Sequence, residues 1–177
     1  EFVQNFEVGK DTSLDKLRKK HTIAHITSVH PRSDTRIFAR ECVTLQDRYK
    51  VILIVADGKG DESYHGVSIY DVGKPSSRVN RILFTRRNIL RKALELGADI
   101  FHAHDPELMP VLIKLRRMGN KVIFDAHEDF PKQILDKPYL NRYFAIVLSK
   151  MAHIYQKRVS SSFHGVVSAT NCIEENF

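Results

Sequence analysis

Apolar residues in this chain fall into short runs broken by polar turns, and two spacings alternate along its length. Thr22-Ile-Ala-His-Ile-Thr-Ser-Val29 is rich in β-branched residues and predicts a first strand. Val51-Ile-Leu-Ile-Val-Ala56 is apolar throughout, the pattern of a strand covered on both faces. Val67 to Val72 alternates like a strand nearer an edge, and Asp99 to His104, Lys121 to Ala126 and Gly165 to Thr170 predict three more strands. Asp57 to Tyr64 is polar and turn-rich, so it reads as a connection.

Helical spacing lies between these runs. Arg36 to Gln46 carries Ile37, Phe38, Cys42 and Leu45 on one face, with Ser33, Asp34 or Thr35 as its cap. Arg78 to Leu96 carries Val79, Ile82, Leu83, Ile89, Leu90, Ala93 and Leu94 opposite a basic face, and Gly97 ends it. Pro106 opens a helix that runs to about Arg117 and closes at Gly119-Asn120. A longer one is expected from about Pro138 to Ser160, apolar through Phe144, Ile146, Val147, Met151 and Ile154, with Lys150, Lys157 and Arg158 outside. Strand followed by helix, repeated, predicts an α/β domain: a Rossmann-like parallel sheet with helices on both faces. We expect residues 1–20 to be a polar arm, a short helix at Ser13–Lys20 or vector-derived residue, and residues 21–177 to form the domain. The last helical pattern starts at Asn171 and stops at Phe177, which leads us to expect continuation into a second domain.

Composition changes this picture little. With 42% apolar residues among 177, the chain has material for one well-packed core. No apolar run approaches the roughly 20 residues of a membrane span, and the N-terminus lacks the pattern of a secretory signal. Cys42 and Cys172 read as free thiols in a reducing compartment.

Charge adds more. The net charge of +7 favours anionic partners, and it is uneven: Lys74, Arg78, Arg81, Arg86, Arg87, Arg91 and Lys92 occur with no acidic residue between them. Two readings fit that segment. One is a solvated face; the other is contact of Arg78, Arg81, Arg86, Arg87 and Arg91 with an anionic membrane surface, the apolar stripe turned to the core. Nucleic acid is disfavoured, because there is no Trp and no aromatic platform beside the cluster.

The chemistry concentrates in Phe101-His-Ala-His-Asp-Pro-Glu107 and Phe124-Asp-Ala-His-Glu-Asp-Phe-Pro131, each at the end of a strand and just before a helix. Alternation puts His102 and His104 on one face, and Asp125 and His127 on one face. If the two strands are neighbours, their tips meet on the rim where open α/β sheets bind ligands. Three readings stand. His102, His104, Asp105, Asp125, His127, Glu128 and Asp129 are metal-ligand types, but no spacing fixes a coordination sphere. His102 and Asp125 can simply bond to nearby backbone. His127 and Glu128, with His104 and Asp105 nearby, can act in catalysis or orient a substrate. The first turn, Val29 to Arg36, has neither G-x-G-x-x-G nor a P-loop. Arg32 and Arg36 can instead fork a phosphate there, with Asp34 as cap or ligand. No G-x-S-x-G elbow supports a hydrolase.

Three segments together, His30-Pro-Arg-Ser-Asp-Thr-Arg-Ile-Phe38, Asp99-Ile-Phe-His-Ala-His-Asp-Pro106 and Val122-Ile-Phe-Asp-Ala-His-Glu-Asp129, resemble the N-terminal half of a GT-B glycosyltransferase, and most closely glycosyltransferase family 4 enzymes of bacterial polysaccharide synthesis. The resemblance covers about Thr22 to Phe177. It implies an acceptor-binding N-terminal domain, a nucleotide-sugar donor bound by a C-terminal partner domain, and transfer with retention without an obligatory metal or cofactor. It implies that His127 faces the sugar and acceptor with Glu128 beside it in the catalytic pair. His104, Asp105, Asp129, Arg32, Asp34 and Arg36 would then be the substrate-binding set. Many members carry a glycine-rich first loop, which this chain lacks; the family's donor-binding Glu-x7-Glu region belongs to the other domain. The expected acceptor is a glycan or lipid-linked sugar, and the expected location is cytoplasmic, at the inner face of the plasma membrane. The competing expectations are a sugar-nucleotide epimerase of similar architecture and a non-catalytic module that docks on anionic surfaces.

Overall fold

The computed structural model describes residues 21–174 and 177, so the Ser13–Lys20 helix lies outside the described residues. Seven strands form one sheet in the order β3-β4-β2-β1-β5-β6-β7. They are β1 Thr22–Ile26, β2 Lys50–Val55, β3 Glu62–Tyr64, β4 Val67–Asp71, β5 Ile100–Ala103, β6 Lys121–Ala126 and β7 Gly165–Ser168. All neighbours are parallel except β3 and β4, which form an antiparallel hairpin at one edge. Strand β4 is the one expected over Val67 to Val72, whereas β3 falls within the stretch read from sequence as a connection. It is three exposed residues long, too short for periodicity to register. The turn before it is held by the Asp71 carboxylate, which accepts from the backbone N–H of Gly58 and Gly60.

The first helix, α1, runs as wide π-type turns over Thr35–Cys42 and continues through Val43–Leu45. Asp34 caps it, accepting from the N–H groups of Arg36 and Ile37 at 2.9 Å. Helix α2 is continuous through Arg78–Asn80, Arg81–Thr85 and Arg86–Leu96, and Gly97 closes it in the left-handed conformation at φ 59°. Helix α3 starts with a tight turn, Pro106–Leu108, and continues over Met109–Arg117. A short helix absent from the sequence reading, α4, spans Phe130–Leu135, with Asp129 as cap and Pro131 in its first turn. Helix α5 is Arg142–Ser160, starting later than expected because Asn141 caps it, and α6 is Asn171–Glu174. Among the described residues no helix is long and apolar enough to cross a membrane.

The strands' alternation splits the core by face. Ala24, Ile26, Ile52, Ile54, Phe101, Ala103, Val122 and Phe124 point to one side and pack with Ile89 and Ala93 of α2 and with Val111, Leu112 and Leu115 of α3. Burying each large side chain there contributes about 1.5–3 kcal/mol. On the other side, Val51, Leu53, Val55, Val67 and Ile69 meet Ile37, Phe38 and Cys42 of α1. Cys42 is a buried free thiol, and burial pushes it well above the usual thiol range, which makes it inert.

Two helices contradict the expected orientation of their apolar stripes. In α5 the buried residues are Ala145, Ser149, Gln156 and Ser160, while Phe144, Val147, Met151 and Ile154 are more than half exposed. Small residues let α5 lie close against α4, where Ser149 Oγ donates to the Pro131 carbonyl at 2.7 Å. In α2 the first half turns Val79, Leu83 and Phe84 outward, and only Ile89 and Ala93 are fully covered.

Candidate functional site

The α1-facing side of the sheet changes character at β1. On β2 and β4 it is apolar; on β1, β5 and β6 it carries His25, His102 and Asp125, with His104 just past β5. Register sets His25 beside His102 across β1 and β5. All four lie beneath α1, which supplies Arg36 and Glu41 to this polar layer. Arg36 and Glu41 are five residues apart. An α-helix would rotate them by about 140° relative to each other, whereas turns closed by i→i+5 bonds bring them to one stripe. Their Nε and Oε1 atoms stand 3.6 Å apart.

Asp125 is the hub. It is fully buried and accepts from Arg36 through both Nε (3.1 Å) and Nη2 (2.5 Å), and it bonds His104 Nδ1 at 3.0 Å. His127 Nδ1 stands 3.4 Å from the same carboxylate, an ionic contact outside hydrogen-bond geometry. Burial raises the Asp125 carboxyl, but its contacts with His104, His127 and Arg36 outweigh that and hold the group well below the usual carboxylate range. The same pairing raises His127 above its ordinary value, burial opposing. Asp125 therefore does not bond to nearby backbone, as one sequence reading had it; its partners are side chains.

His127 carries the chain of contacts outward. Its Nε2 lies 3.3 Å from His30 Nε2, and His30 also contacts Asp105 and Asp34 at 3.3 and 3.5 Å. Asp105 is buried and ties the end of β5 to the end of β1, accepting from Thr27 Oγ1, Ser28 N and Ser28 Oγ. His104 is wholly buried as well. Both side chains are buried and bonded within the protein, His104 to Asp125 and His25 and Asp105 to Thr27 and Ser28, where the sequence reading expected both to contact substrate. Glu128 is exposed and accepts from Gln133 Nε2 at 2.9 Å, and Asp129 is spent partly as the cap of α4.

Arg32 differs most from expectation. Its guanidinium bonds Asp57 through Nε and Nη2 at 2.8 and 2.7 Å, the Gly60 carbonyl at 2.8 Å and Glu62 at 2.8 Å. The fork meant for a phosphate is committed to the β2–β3 turn. Arg36 is likewise paired but remains about one-third exposed, with a side-chain value of 34%. Asp34 is cap and His30 partner together.

The basic segment is a separate surface. Arg78, Arg87 and Arg91 are exposed, Arg78 contacts the Tyr139 hydroxyl at 3.3 Å, Arg81 bonds Glu107 at 2.7 Å, and Arg86 Nε donates to the Ile82 carbonyl. Two surface cavities touch the rim at their edges: one of about 600 Å³ lies between α1 and the β3 hairpin, lined by Arg32, Ser33, Phe38, Val43, Tyr64 and His65, and one of about 470 Å³ lies between α4 and α5, with Asp129 in its wall.

Two members of the polar layer, His25 and Glu41, escaped the sequence reading. His25 interrupts an otherwise apolar strand, which is a usable signal. Glu41 carries none, because α-helical spacing sets it apart from Arg36.

A family model described as Glycosyltransferase Family 4 matches residues 35–177. No curated protein sequence matches the chain. Among solved structures, the chain is similar to the E. coli protein described as trehalose-6-phosphate bound with UDP-2-fluoro glucose: 10% identity and TM-score 0.57, covering 88% of this chain and 41% of that one. It is similar to an alpha,alpha-trehalose-phosphate synthase (UDP-forming) from Burkholderia xenovorans in complex with glucose-6-phosphate, at 12% identity and TM-score 0.57 over 89% and 42%. It is similar to a sucrose-phosphate synthase from Thermosynechococcus elongatus, at 12% identity and TM-score 0.56 over 84% and 48%. At these identities the likeness is one of fold, and the chain spans less than half the length of each.

Proposed function

This chain belongs to glycosyltransferase family 4, and from that premise we propose that it is the acceptor-side half of a retaining enzyme that moves a sugar from a nucleotide-sugar donor to a glycan or lipid-linked acceptor. The observation that carries the reading is His127. It stands at the open carboxyl rim of the sheet, half-buried, fixed by Asp125 behind it and His30 beside it. Open α/β sheets bind ligands at that rim.

The chemistry divides as follows. The acceptor oxygen forms a bond to the anomeric carbon, the bond from that carbon to the phosphate oxygen breaks, the nucleoside diphosphate leaves with the electron pair, and the proton of the acceptor hydroxyl passes to an oxygen of the departing diphosphate. Charge grows on the leaving oxygens, so groups that strengthen their contact at that stage accelerate the step. His127, biased toward its protonated form by Asp125, hydrogen-bonds the reacting sugar and acceptor. Glu128, exposed next to it, and Asp129 receive acceptor hydroxyls. Arg36, rather than Arg32, contributes positive potential. The reading needs no metal at the sugar phosphates. Donor binding is assigned to a second domain, and closure of the two assembles the site.

The setting proposed is bacterial surface polysaccharide synthesis on the cytoplasmic face of the membrane. The exposed Val79, Leu83 and Phe84 beside Arg78, Arg87 and Arg91 support an amphipathic contact with anionic lipid.

The test is a transfer assay on the full-length protein with a panel of nucleotide sugars. A new glycosidic bond, lost on His127→Ala, is the expected result. An isomerised nucleotide sugar, or transfer unchanged in the variant, would overturn the assignment.

A further inference from the structure

Behind the rim, on the far side of His104 from Asp125, four potential ligands converge in a largely buried layer. One ligand atom from each of His25, Glu41, His102 and His104 lies within 4.8 Å of the other three. Glu41 Oε2 is the common neighbour: it stands 3.6 Å from His25 Nδ1, 3.7 Å from His102 Nδ1 and 3.8 Å from His104 Nε2. His25 Nδ1 and His104 Nε2 are 3.0 Å apart.

The three distances to Glu41 are informative in themselves. They are too long for hydrogen bonds, and Glu41 Oε2 is buried with no hydrogen-bond partner among the described residues. Leaving a carboxylate oxygen in that condition is costly. Its other oxygen faces Arg36, so Arg36 does not relieve it. Yet ligands about 2.0–2.2 Å from a tetrahedral zinc ion stand about 3.3–3.6 Å from one another, since the edge of a tetrahedron is about 1.6 times its radius. A cation among the four atoms would satisfy the orphan oxygen; the three edges to Glu41 and the His25–His104 edge need only tenths of an ångström of adjustment, and the two remaining edges, from His102 to His25 and to His104, lie within 4.8 Å and close further on binding.

We propose that His25 Nδ1, His102 Nδ1, His104 Nε2 and Glu41 Oε2 form a buried tetrahedral site for a divalent transition-metal ion, with zinc the best fit.

Three nitrogens and one carboxylate oxygen suit zinc over magnesium or calcium, which take oxygen ligands in larger shells. Of the three histidines, His104 has the outer partner that such a ligand needs. His104 presents Nε2 to the site and gives Nδ1 to Asp125 at 3.0 Å, the carboxylate–histidine–metal arrangement that fixes the tautomer and ring orientation. Without the ion, a hydrogen bond between His25 Nδ1 and His104 Nε2 holds those rings together; binding the ion at Nδ1 requires the His25 proton to sit on Nε2 instead. The ion would lock the His104 ring and, through Asp125, the seat of His127. It would stand behind the reacting groups and take no part in bond making. Burial leaves no open coordination position for substrate, so the role is structural.

The test reads metal directly and does not depend on sugar transfer, so it is separable from the proposed activity. The protein purified from zinc-supplemented cells and desalted is assayed by inductively coupled plasma mass spectrometry. About one zinc per chain is expected, removed by chelator and restored by ZnCl2 alone. Cobalt(II) in its place is expected to give the intense visible bands of a four-coordinate site. Glu41→Gln and His102→Asn are each expected to weaken zinc in a chelator competition by about 100-fold or more, while His21→Asn, exposed and outside the cluster, leaves it unchanged. A folded wild-type chain with no stoichiometric zinc and no four-coordinate cobalt spectrum would overturn the proposal, as would unaltered affinity in folded Glu41→Gln and His102→Asn. Where the variants do not fold, wild-type stoichiometry and the cobalt spectrum decide.

Discussion

His104 Nδ1 and Asp125 Oδ2 meet at 3.0 Å, both wholly buried, and this one contact joins the end of β5 to β6 beneath α1. Asp125 also anchors Arg36 of α1 and His127 of the rim. Its replacement by Asn keeps the shape and removes the charge from a buried network. Breaking such a network from one side costs about 3–5 kcal/mol, so Asp125→Asn is expected to lower urea-unfolding stability by that order. It is also expected to return His127 toward its ordinary titration, because Asp125 is the largest cause of the upward displacement. Histidine proton NMR against pH reads the second effect. A variant as stable as the parent would mean that α1 is held by its apolar half alone.

Transfer by the full-length enzyme is expected to fall by roughly 100-fold or more in kcat/KM on His127→Ala, the scale of a lost hydrogen-bond donor at the reacting groups. His104→Gln, at a buried residue away from the reacting sugar, is expected to cost less in kcat/KM and more in stability. Parallel kinetic and denaturation measurements distinguish the two.

On the proposed reading, in which donor binding belongs to a second domain, the 177-residue chain alone is expected to show no transfer. Product detection by mass spectrometry after long incubation checks this, and turnover by the chain alone would mean that donor binding lies within it.

Acid sensitivity follows from Arg32 and Asp57. Hydrogen bonding from Arg32 is the first cause holding the Asp57 carboxyl below its usual value. A folded-state value below the unfolded one gives stability that is fully present above the unfolded value of about 3.9 and is lost as pH falls through the folded one. Unfolding curves between neutral pH and pH 3 are expected to show that loss, and Asp57→Asn to remove its share. A parallel acid response in the two proteins would assign the loss elsewhere.

Anionic vesicles are expected to co-sediment with the protein and neutral ones not. Each Lys or Arg near such a surface contributes about 1 kcal/mol, so Arg87→Glu with Arg91→Glu is expected to weaken binding by about 30-fold or more, and added salt to mimic it. Equal binding to neutral vesicles would point to the apolar residues alone.

Sequence periodicity was enough for β1, β2, β5 and β6 and for the Rossmann-like layering, because each strand carries four to six residues whose burial follows the pattern. It failed where the deciding partner is distant. Phe144 and Met151 look like core residues on a helical wheel, but Ala145 and Ser149 are what fit against α4. The rim at His104 and His127 was readable from strand ends. Arg32's commitment was not, since Asp57 and Glu62 reach it only through the β2–β3 turn.

The winding of α1 fixes how many residues may separate its cap from its polar stripe. Deleting a single residue between Arg36 and Glu41 would shorten that spacing to four, the natural step of an ordinary helix, and the tighter coil could still aim both side chains at the sheet. The cost would appear downstream: Cys42 and Val43 would be turned by about 100°, dragging the oily flank off β2. Length variation in this helix is thus confined by two incompatible demands, and insertions elsewhere in the loops should be tolerated far more readily.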